Sequence, residues 1–475
     1  MKSINSIYIA FLLVFSSTFY SQQNAHSFIK DEYNFIQFNN SNVLSRFYSN
    51  WNSKKRISIL HLGDSHLQNE NYPNKCRQLF QQIHGDGGIG LIQPFSIVKS
   101  YNASFYKSTH TGDWEYSKSY ILPPKLALGV RGMSAKTNDE KATFQITFNN
   151  FPSNQNTILT IFYSNGIESY EPNIMIDSAA TELIYKSGDI LKYKLSSNFK
   201  NIQFSLNKTN EKQNHFVLYG MSLSNFEDTG AVWHNAGVGA CQYKSVLFED
   251  KYEEQAAYLN PDLIIIEYGT NDILYTNSIP EQLKLEIDKV INKVKKANPN
   301  ASIVLTSTQD MNYKKVNITA SKQFSKMIKQ IAIENQCGFW DWYMVSGGPN
   351  AMNIWQENKL TMNDGVHLNG RGSELKGTLL IEAFKKTYSY LNEQPDVKEL
   401  LFEELIEIAD TTSSKKAQAE FIDMQNKKVI YKVKRGDTLS DISRKFNIDI
   451  VALKKRNKIQ GNLIFPNQIL YIPKQ

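Results

Sequence analysis

Five short apolar runs, each ending in a polar turn and followed by a helical repeat, constrain this chain more than any other feature. The runs are Arg56–Leu62, Ala231–His234, Asp262–Tyr268, Ser302–Thr306 and Gly338–Trp342. Apolar residues recur at helical spacing over about 72–84, 242–258, 280–297, 318–335 and 370–391. Runs with little polar alternation suit strands buried on both faces. Strands alternating with helices predict an α/β domain, a parallel sheet covered by helices on both sides. Such sheets bind ligands beyond the carboxyl ends of their strands.

The series breaks once. About 170 residues separate the first run from the second, far more than a normal connection. Residues 96–228 carry short alternating runs instead, such as Ala142–Phe148, Ile158–Tyr163 and Asn201–Leu206, with Asn, Ser and Gly turns between them. That pattern predicts a β-sandwich inserted into a loop of a discontinuous host domain, 22–95 and 229–395. Trp114, Tyr116, Tyr120 and Tyr163 are available there to stack on a carbohydrate, or they form the sandwich core, the commoner fate of aromatics.

The two ends differ from the middle. Lys2, the apolar stretch Ile7–Phe15 and a small polar region to Ser21 have the layout of a secretory signal peptide over 1–21, with a retained N-terminal anchor as the alternative. No other segment approaches the length needed to span a bilayer. A linker is expected over 396–428, with a helical pattern at Leu400–Ala409 and then the polar run Thr411–Lys416, before a final compact segment, 429–475. Residues 427–475 hold 12 Lys and Arg against 3 Asp and Glu, more than the whole chain's formal charge of +7. A basic tail suits an anionic polymer, a nucleic acid or a membrane surface, or is a solvated face. Cys76, Cys241 and Cys337 form no CxxC and no Cys/His cluster, so no metal site is expected; one cysteine pair with one buried thiol is.

Four segments carry chemistry. In Gly63-Asp64-Ser65-His66, a serine on a strand-to-helix turn exposes its hydroxyl and its own N–H. In Asn235-Ala236-Gly237-Val238-Gly239-Ala240, glycine leaves a backbone N–H unshielded. In Gly269-Thr270-Asn271-Asp272, the Asn side chain can aim a further donor at a developing oxyanion. In Asp364-Gly365-Val366-His367, the carboxylate can reach the imidazole and fix its tautomer. Each alone is an ordinary turn; together, and in this order, they supply nucleophile, base, orienter and oxyanion donors.

This set resembles the SGNH/GDSL hydrolase superfamily, which implies a flavodoxin-like three-layer fold. The resemblance implies catalytic Ser65, Asp364 and His367 and an oxyanion hole of Ser65, Gly239 and Asn271. Gly239 is preferred because Gly239-Ala240 resembles the usual surroundings, and a shift of register would select Gly237. The Gly-Asp-Ser-His turn, Phe339–Gly348 and the inserted sandwich are more similar to bacterial peptidoglycan O-acetylesterases, which carry a carbohydrate-binding-like insert. His66 departs from the lipolytic branch. The run Gly85-Asp86-Gly87-Gly88-Ile89-Gly90 lacks a following Gly-Lys-Ser/Thr, so it is expected to shape the cleft rather than hold a nucleotide.

The tail opens with Tyr431-Lys432-Val433-Lys434-Arg435-Gly436-Asp437-Thr438-Leu439, continues through Ile442, Phe446, Leu453 and Asn457, and closes on Pro466–Pro473. It resembles a LysM domain, a small βααβ unit binding N-acetylglucosamine-containing glycans. The resemblance implies sugar contacts near Gly436, Asp437, Thr438, Leu439, Gln460, Gly461, Asn462 and Leu463. The expectation is therefore a secreted serine esterase for O-acetyl groups on peptidoglycan, periplasmic or extracellular and cell-wall associated, with peptidoglycan rather than nucleic acid as partner. It needs no metal or organic cofactor. The alternatives are an acetyl esterase for another polysaccharide, such as acetylxylan or capsule, and a non-catalytic peptidoglycan-binding scaffold.

Overall fold

The computed structural model describes residues 26–402 except 54, 151, 152 and 154, and residues 429–472 except 435, 436, 447, 458, 460, 462, 463 and 465–467. The signal-peptide segment 1–21 and most of the 396–428 linker lie outside the described residues. The chain divides into two units, Met1–Phe402 and Glu403–Gln475.

All five expected strands form in the first unit. They lie side by side, all parallel, as Ala231–Gly237, Ile57–Gly63, Leu263–Glu267, Ser302–Thr306 and Gly338–Trp340. Ile36–Gln37 adds an antiparallel edge beside the last of them. In chain order the parallel strands run 2-1-3-4-5, the flavodoxin-like order. Side chains alternate between two cores. Ile57, Ile59, Leu263, Ile265 and Val304 face Tyr72, Phe80, Leu380 and Phe384, on the helices Asn71–His84 and Gly370–Glu393. Leu60, Leu62, Ile264, Ile266 and Leu305 face Ile287, Val290, Phe324 and Ile328, on Leu283–Ala297 and Ala320–Glu334.

The helix expected over 242–258 is broken. A 3-10 turn, Tyr243–Phe248, stops at Glu249, whose ψ of 89° leaves helical space, and an α-helix resumes at Tyr252–Leu259. The insert imposes the break: Lys251 N–H donates to Leu128 O at 2.9 Å, a partner outside the helix ladder.

The insert is a two-sheet sandwich. One sheet orders Ala179–Ala180, Glu171–Ile176, Asn201–Asn207, Thr143–Phe148 and Tyr106–Thr111. The other orders Glu182–Ser187, Ile190–Leu195, Thr157–Tyr163, Phe216–Asn225, Met133–Thr137 and Glu115–Lys118. Phe144 and Phe204 stack in its core with ring centroids 4.3 Å apart. Tyr163 is buried against Phe216, and Trp114 and Tyr116 pack onto the same core, so only Tyr120 of the four aromatics is exposed.

The Gly85–Gly90 run does not shape the cleft. Gly87 N–H donates to Ala231 O at 3.0 Å, and Asp86 bridges Ala231, which places the run at the amino end of the Ala231–Gly237 strand, away from the carboxyl ends. Its glycines serve close backbone packing: a Cβ on Gly88, at φ +109°, would stand 2.6 Å from Ser224 Cα. The expected cysteine pair is also absent. Cys76, Cys241 and Cys337 are buried free thiols lying near Gly377, Ser119 and Asn335 respectively, in separate parts of the unit. Leu400 pairs with Phe38 in an extended bridge instead of opening a helix; residues 403–409 lie outside the described residues.

The second unit pairs Val429–Lys432 with Ile469–Ile472 antiparallel, with helices Leu439–Lys445 and Ile450–Asn457 between them. Val433, Leu439, Ile442, Leu453 and Leu470 form its core. Among the described residues no helix is long and apolar enough to cross a membrane.

Gly269, two residues past the Leu263–Glu267 strand, sits at φ +116°, where an added Cβ would overlap the Phe324 ring. Gly269→Ala is expected to lower stability in urea unfolding by about 1–3 kcal/mol, from overpacking and backbone strain together.

Candidate active site

Ser65 follows the Ile57–Gly63 strand and opens the four-residue helix Ser65–Gln68. Asp64 caps that helix, its carboxylate accepting from His66 N–H at 3.0 Å. The Ser65 N–H, at the first helical position, is left out of the helix ladder. Asn271 sits in Thr270–Ile273, just past the Leu263–Glu267 strand. These two strands are neighbours at the point where the sheet order reverses, the crevice where open α/β sheets bind ligands.

The Asp364–His367 turn arrives from the chain beyond the last strand. Asp364 Oδ1 accepts the N–H groups of Val366 and His367, both at 2.9 Å, and Oδ2 accepts His367 Nδ1–H at 2.6 Å. His367 Nε2 then lies 2.8 Å from Ser65 Oγ. The turn is held from behind: Gln309 Nε2 donates to Val366 O, and Asn312 N–H donates to Gly365 O at 2.8 Å. Burial pushes the Asp364 carboxyl up, but the hydrogen bonds from His367 and Val366 outweigh it and hold Asp364 below its ordinary value.

The two candidate glycines separate cleanly. Gly237 N–H is taken by Asn235 Oδ1 at 2.8 Å, and a Cβ there would run into Leu67. A Cβ on Gly239 would stand 3.7 Å from Ser65 Cβ, so Gly239 is the glycine beside Ser65. Its N–H donates to Gln68 Oε1. Asn271 Nδ2 donates to Cys241 O at 3.0 Å and lies 3.4 Å from Asp64 Oδ2.

Several residues that sequence reasoning missed surround this set. Glu267, at the end of the central strand, is buried and accepts from His61 Nε2 at 3.1 Å, Tyr72 Oη–H at 3.0 Å and Lys376 Nζ at 2.5 Å. Burial opposes the charge, but Lys376 and His61 outweigh it and hold Glu267 at about 2. A carboxylate inside an apolar run demands such partners, a signal present in Leu263–Tyr268. The His66 ring lies 5.1 Å from that of His367, and burial first, then the His367 charge, keep it neutral. Burial also pushes Asp64 up to about 6, against the His66 N–H bond. From the insert, fully buried Arg131 donates to Glu70 Oε1 at 3.0 Å and to Asn235 O, bracing the Ser65 turn against the glycine segment.

In the second unit, Asp437 Oδ2 accepts from Tyr431 Oη–H at 2.8 Å and from Lys434 N–H at 2.7 Å, and the Thr438 hydroxyl accepts from Asp441 N–H at 3.1 Å. Leu439 is 2% exposed, its side chain packing the core. Gly461 occupies a bend at φ +83°. Gly436, Gln460, Asn462 and Leu463 lie outside the described residues.

Lys376→Met is expected to cost about 3–5 kcal/mol in urea unfolding, because it takes the ammonium away from a buried carboxylate and leaves it only His61 and Tyr72. Glu267 sits below its ordinary 4.5, so its stabilisation is present above that pH and is lost as pH falls toward 2. The stability gap between the wild type and Glu267→Gln should therefore narrow across that acid window.

Known proteins share both units. Residues 221–375 match the GDSL-like lipase/acylhydrolase family and residues 431–473 match the LysM domain. The first match spans Asn271, Asp364 and His367 and begins after Ser65, which the insert separates from them. The fold is similar to that of a peptidoglycan O-acetylesterase, at 17% identity and a TM-score of 0.61, covering 75% of this chain and 99% of that one. A shorter likeness to the acetyl xylan esterase AlAXEase has 18% identity and a TM-score of 0.27, covering 33% of this chain and 82% of that one. A 42-residue stretch is 48% identical to the N-acetylmuramoyl-L-alanine amidase sle1 of Staphylococcus saprophyticus, 9% of this chain and 13% of the amidase. The first unit thus carries a GDSL-like lipase/acylhydrolase match over residues 221–375, and the second a LysM domain over residues 431–473.

Proposed function

We propose that this chain is an exported serine esterase that removes O-acetyl groups from peptidoglycan and is held on that polymer by its LysM domain. The observation that carries the reading is the continuous relay from Asp364 through His367 to Ser65 Oγ, with contacts of 2.6 and 2.8 Å. His367 Nε2 takes the Ser65 proton as Oγ attacks the acetyl carbonyl, and Asp364 steadies the imidazolium. Ser65 N–H, Gly239 N–H and Asn271 Nδ2 hold the oxyanion. The C–O bond to the sugar then breaks, and its oxygen leaves with the proton from His367. Water, deprotonated by His367, attacks the acetyl-serine and releases acetate.

Two things support peptidoglycan as the polymer. The likeness to a peptidoglycan O-acetylesterase covers 75% of the chain, and LysM domains bind N-acetylglucosamine-containing glycans. The basic tail adds attraction for an anionic wall, screened by salt. Export rests on the signal-like segment, residues 1–21. An assembled relay argues against a non-catalytic scaffold.

Purified protein should release acetate from O-acetylated peptidoglycan, and Ser65→Ala should remove that activity. Asp364→Asn should lower kcat by on the order of 10⁴-fold, because His367 loses its tautomer. Activity on acetylxylan alone would overturn peptidoglycan as substrate. Deleting residues 429–475 should weaken co-sedimentation with peptidoglycan while sparing hydrolysis of a small soluble ester; equal loss of both would contradict the division of labour.

A further inference from the structure

An amide N–H aimed at a reacting centre needs a partner before substrate arrives. For Gly239 that partner is the side-chain carbonyl of Gln68, the last residue of the helix that Ser65 opens. A Cβ built on Gly239 would stand 2.5 Å from Gln68 Oε1 and 3.7 Å from Ser65 Cβ, so the Gln68 oxygen lies against the side of Gly239 nearest the nucleophile. The other end of the same amide is fixed as well: Gln68 Nε2 donates to Ser100 Oγ at 2.7 Å. Gln68 and Gly239 are both half-buried, so the amide is not sealed from solvent. Asn271 is engaged differently, its closer bond running to Cys241 O at 3.0 Å and the other, to Asp64, stretched to 3.4 Å.

One N–H cannot serve both an internal carbonyl and an oxyanion at full strength, and two acceptor oxygens brought to it would repel. We propose that Gln68 is the resting occupant of the oxyanion hole and sets the enzyme's preference for polymer-bound esters. It rests on the esterase reading above. The Gln68 oxygen stands where the acyl oxygen will come, keeps Gly239 N–H aligned, and turns away as the acetyl carbonyl enters. Every substrate has to displace it. A glycan chain brings binding energy from sugars remote from the ester, which can be spent on that displacement; a small aryl acetate brings none. Gln68 therefore slows small esters more than acetylated glycan.

The test compares wild type, Gln68→Ala, Gln68→Met and Ser100→Ala on p-nitrophenyl acetate and on O-acetylated peptidoglycan. Ser65→Ala serves as blank, and melting temperatures are measured for all. The expected result is a rise of about two- to tenfold in kcat/KM for the aryl acetate in both Gln68 variants, the range set by the net worth of one neutral hydrogen bond. Peptidoglycan should gain less. Ser100→Ala, which frees one end of the Gln68 amide, should move in the same direction by a smaller factor and keeps the test open if the Gln68 variants fold poorly. Well-folded variants with unchanged or slower aryl acetate hydrolysis would overturn the proposal. A crystal structure of the wild type with Ser65 phosphonylated should show Gln68 turned off Gly239; Gln68 still bound there, with the phosphonyl oxygen elsewhere, would also overturn it. Failure of the esterase reading looks different: a wild type that cleaves neither ester, or cleavage that survives Ser65→Ala, sinks both.

Discussion

The buried carboxylate of Glu267 is the constraint around which the catalytic domain is arranged. A charge removed from water is tolerated only when partners replace its solvation. Here they come from three directions: His61 from the neighbouring strand, Tyr72 from the helix after the nucleophile, and Lys376 from the long helix after the Asp364–His367 turn. Satisfying one carboxylate thus fixes the strand that ends at Ser65 against the helix that follows His367. Ser65 and His367, which touch at 2.8 Å, lie 302 positions apart in sequence.

The inserted sandwich takes part in the same arrangement. Arg131 is fully buried and joins Glu70, just past the nucleophile helix, to the Asn235 carbonyl ahead of Gly239. Asn235 in turn bonds Leu67 O at 3.0 Å and Gly237 N–H, so the loop bearing Gly239 is tied to the Ser65 turn on two sides. With Tyr163 inside and Trp114 and Tyr116 packed on the core, most of the aromatics that suggested a carbohydrate platform serve cohesion of the sandwich instead.

What was legible in the sequence follows a physical division. The five strands could be read because each is a contiguous apolar run, and the four motifs because each fits within a single turn. Helix 242–258 misled because its apolar period was real but Glu249 and Lys251 answer to the insert. The Gly85–Gly90 run lies away from the cleft it is expected to shape, because glycine spacing says that backbones approach closely and not which ones. No cysteine pair forms because Cys76, Cys241 and Cys337 have separate surroundings, which nothing local in the sequence records. Gln68, Lys376 and Arg131 were missed for one reason: each acts through a partner between 61 and 171 positions away, and no local pattern carries that pairing.

The root of the insert also bears on how the parallel sheet closes. The strand of Ser65 and the strand leading to Gly239 are neighbours, yet the whole sandwich lies between them in the chain. The cost of closing a loop of that length grows only as the logarithm of its length, but the ends still have to meet. Gly90–Ile92 pairs with Met221–Leu223, and Asp86 with Ala231, so the sandwich brings its own ends together at the start of the second strand. A folded sandwich turns a distant pairing into a local one. Assembly of the oxyanion hole is then governed by the integrity of a domain that contributes none of its proposed donors.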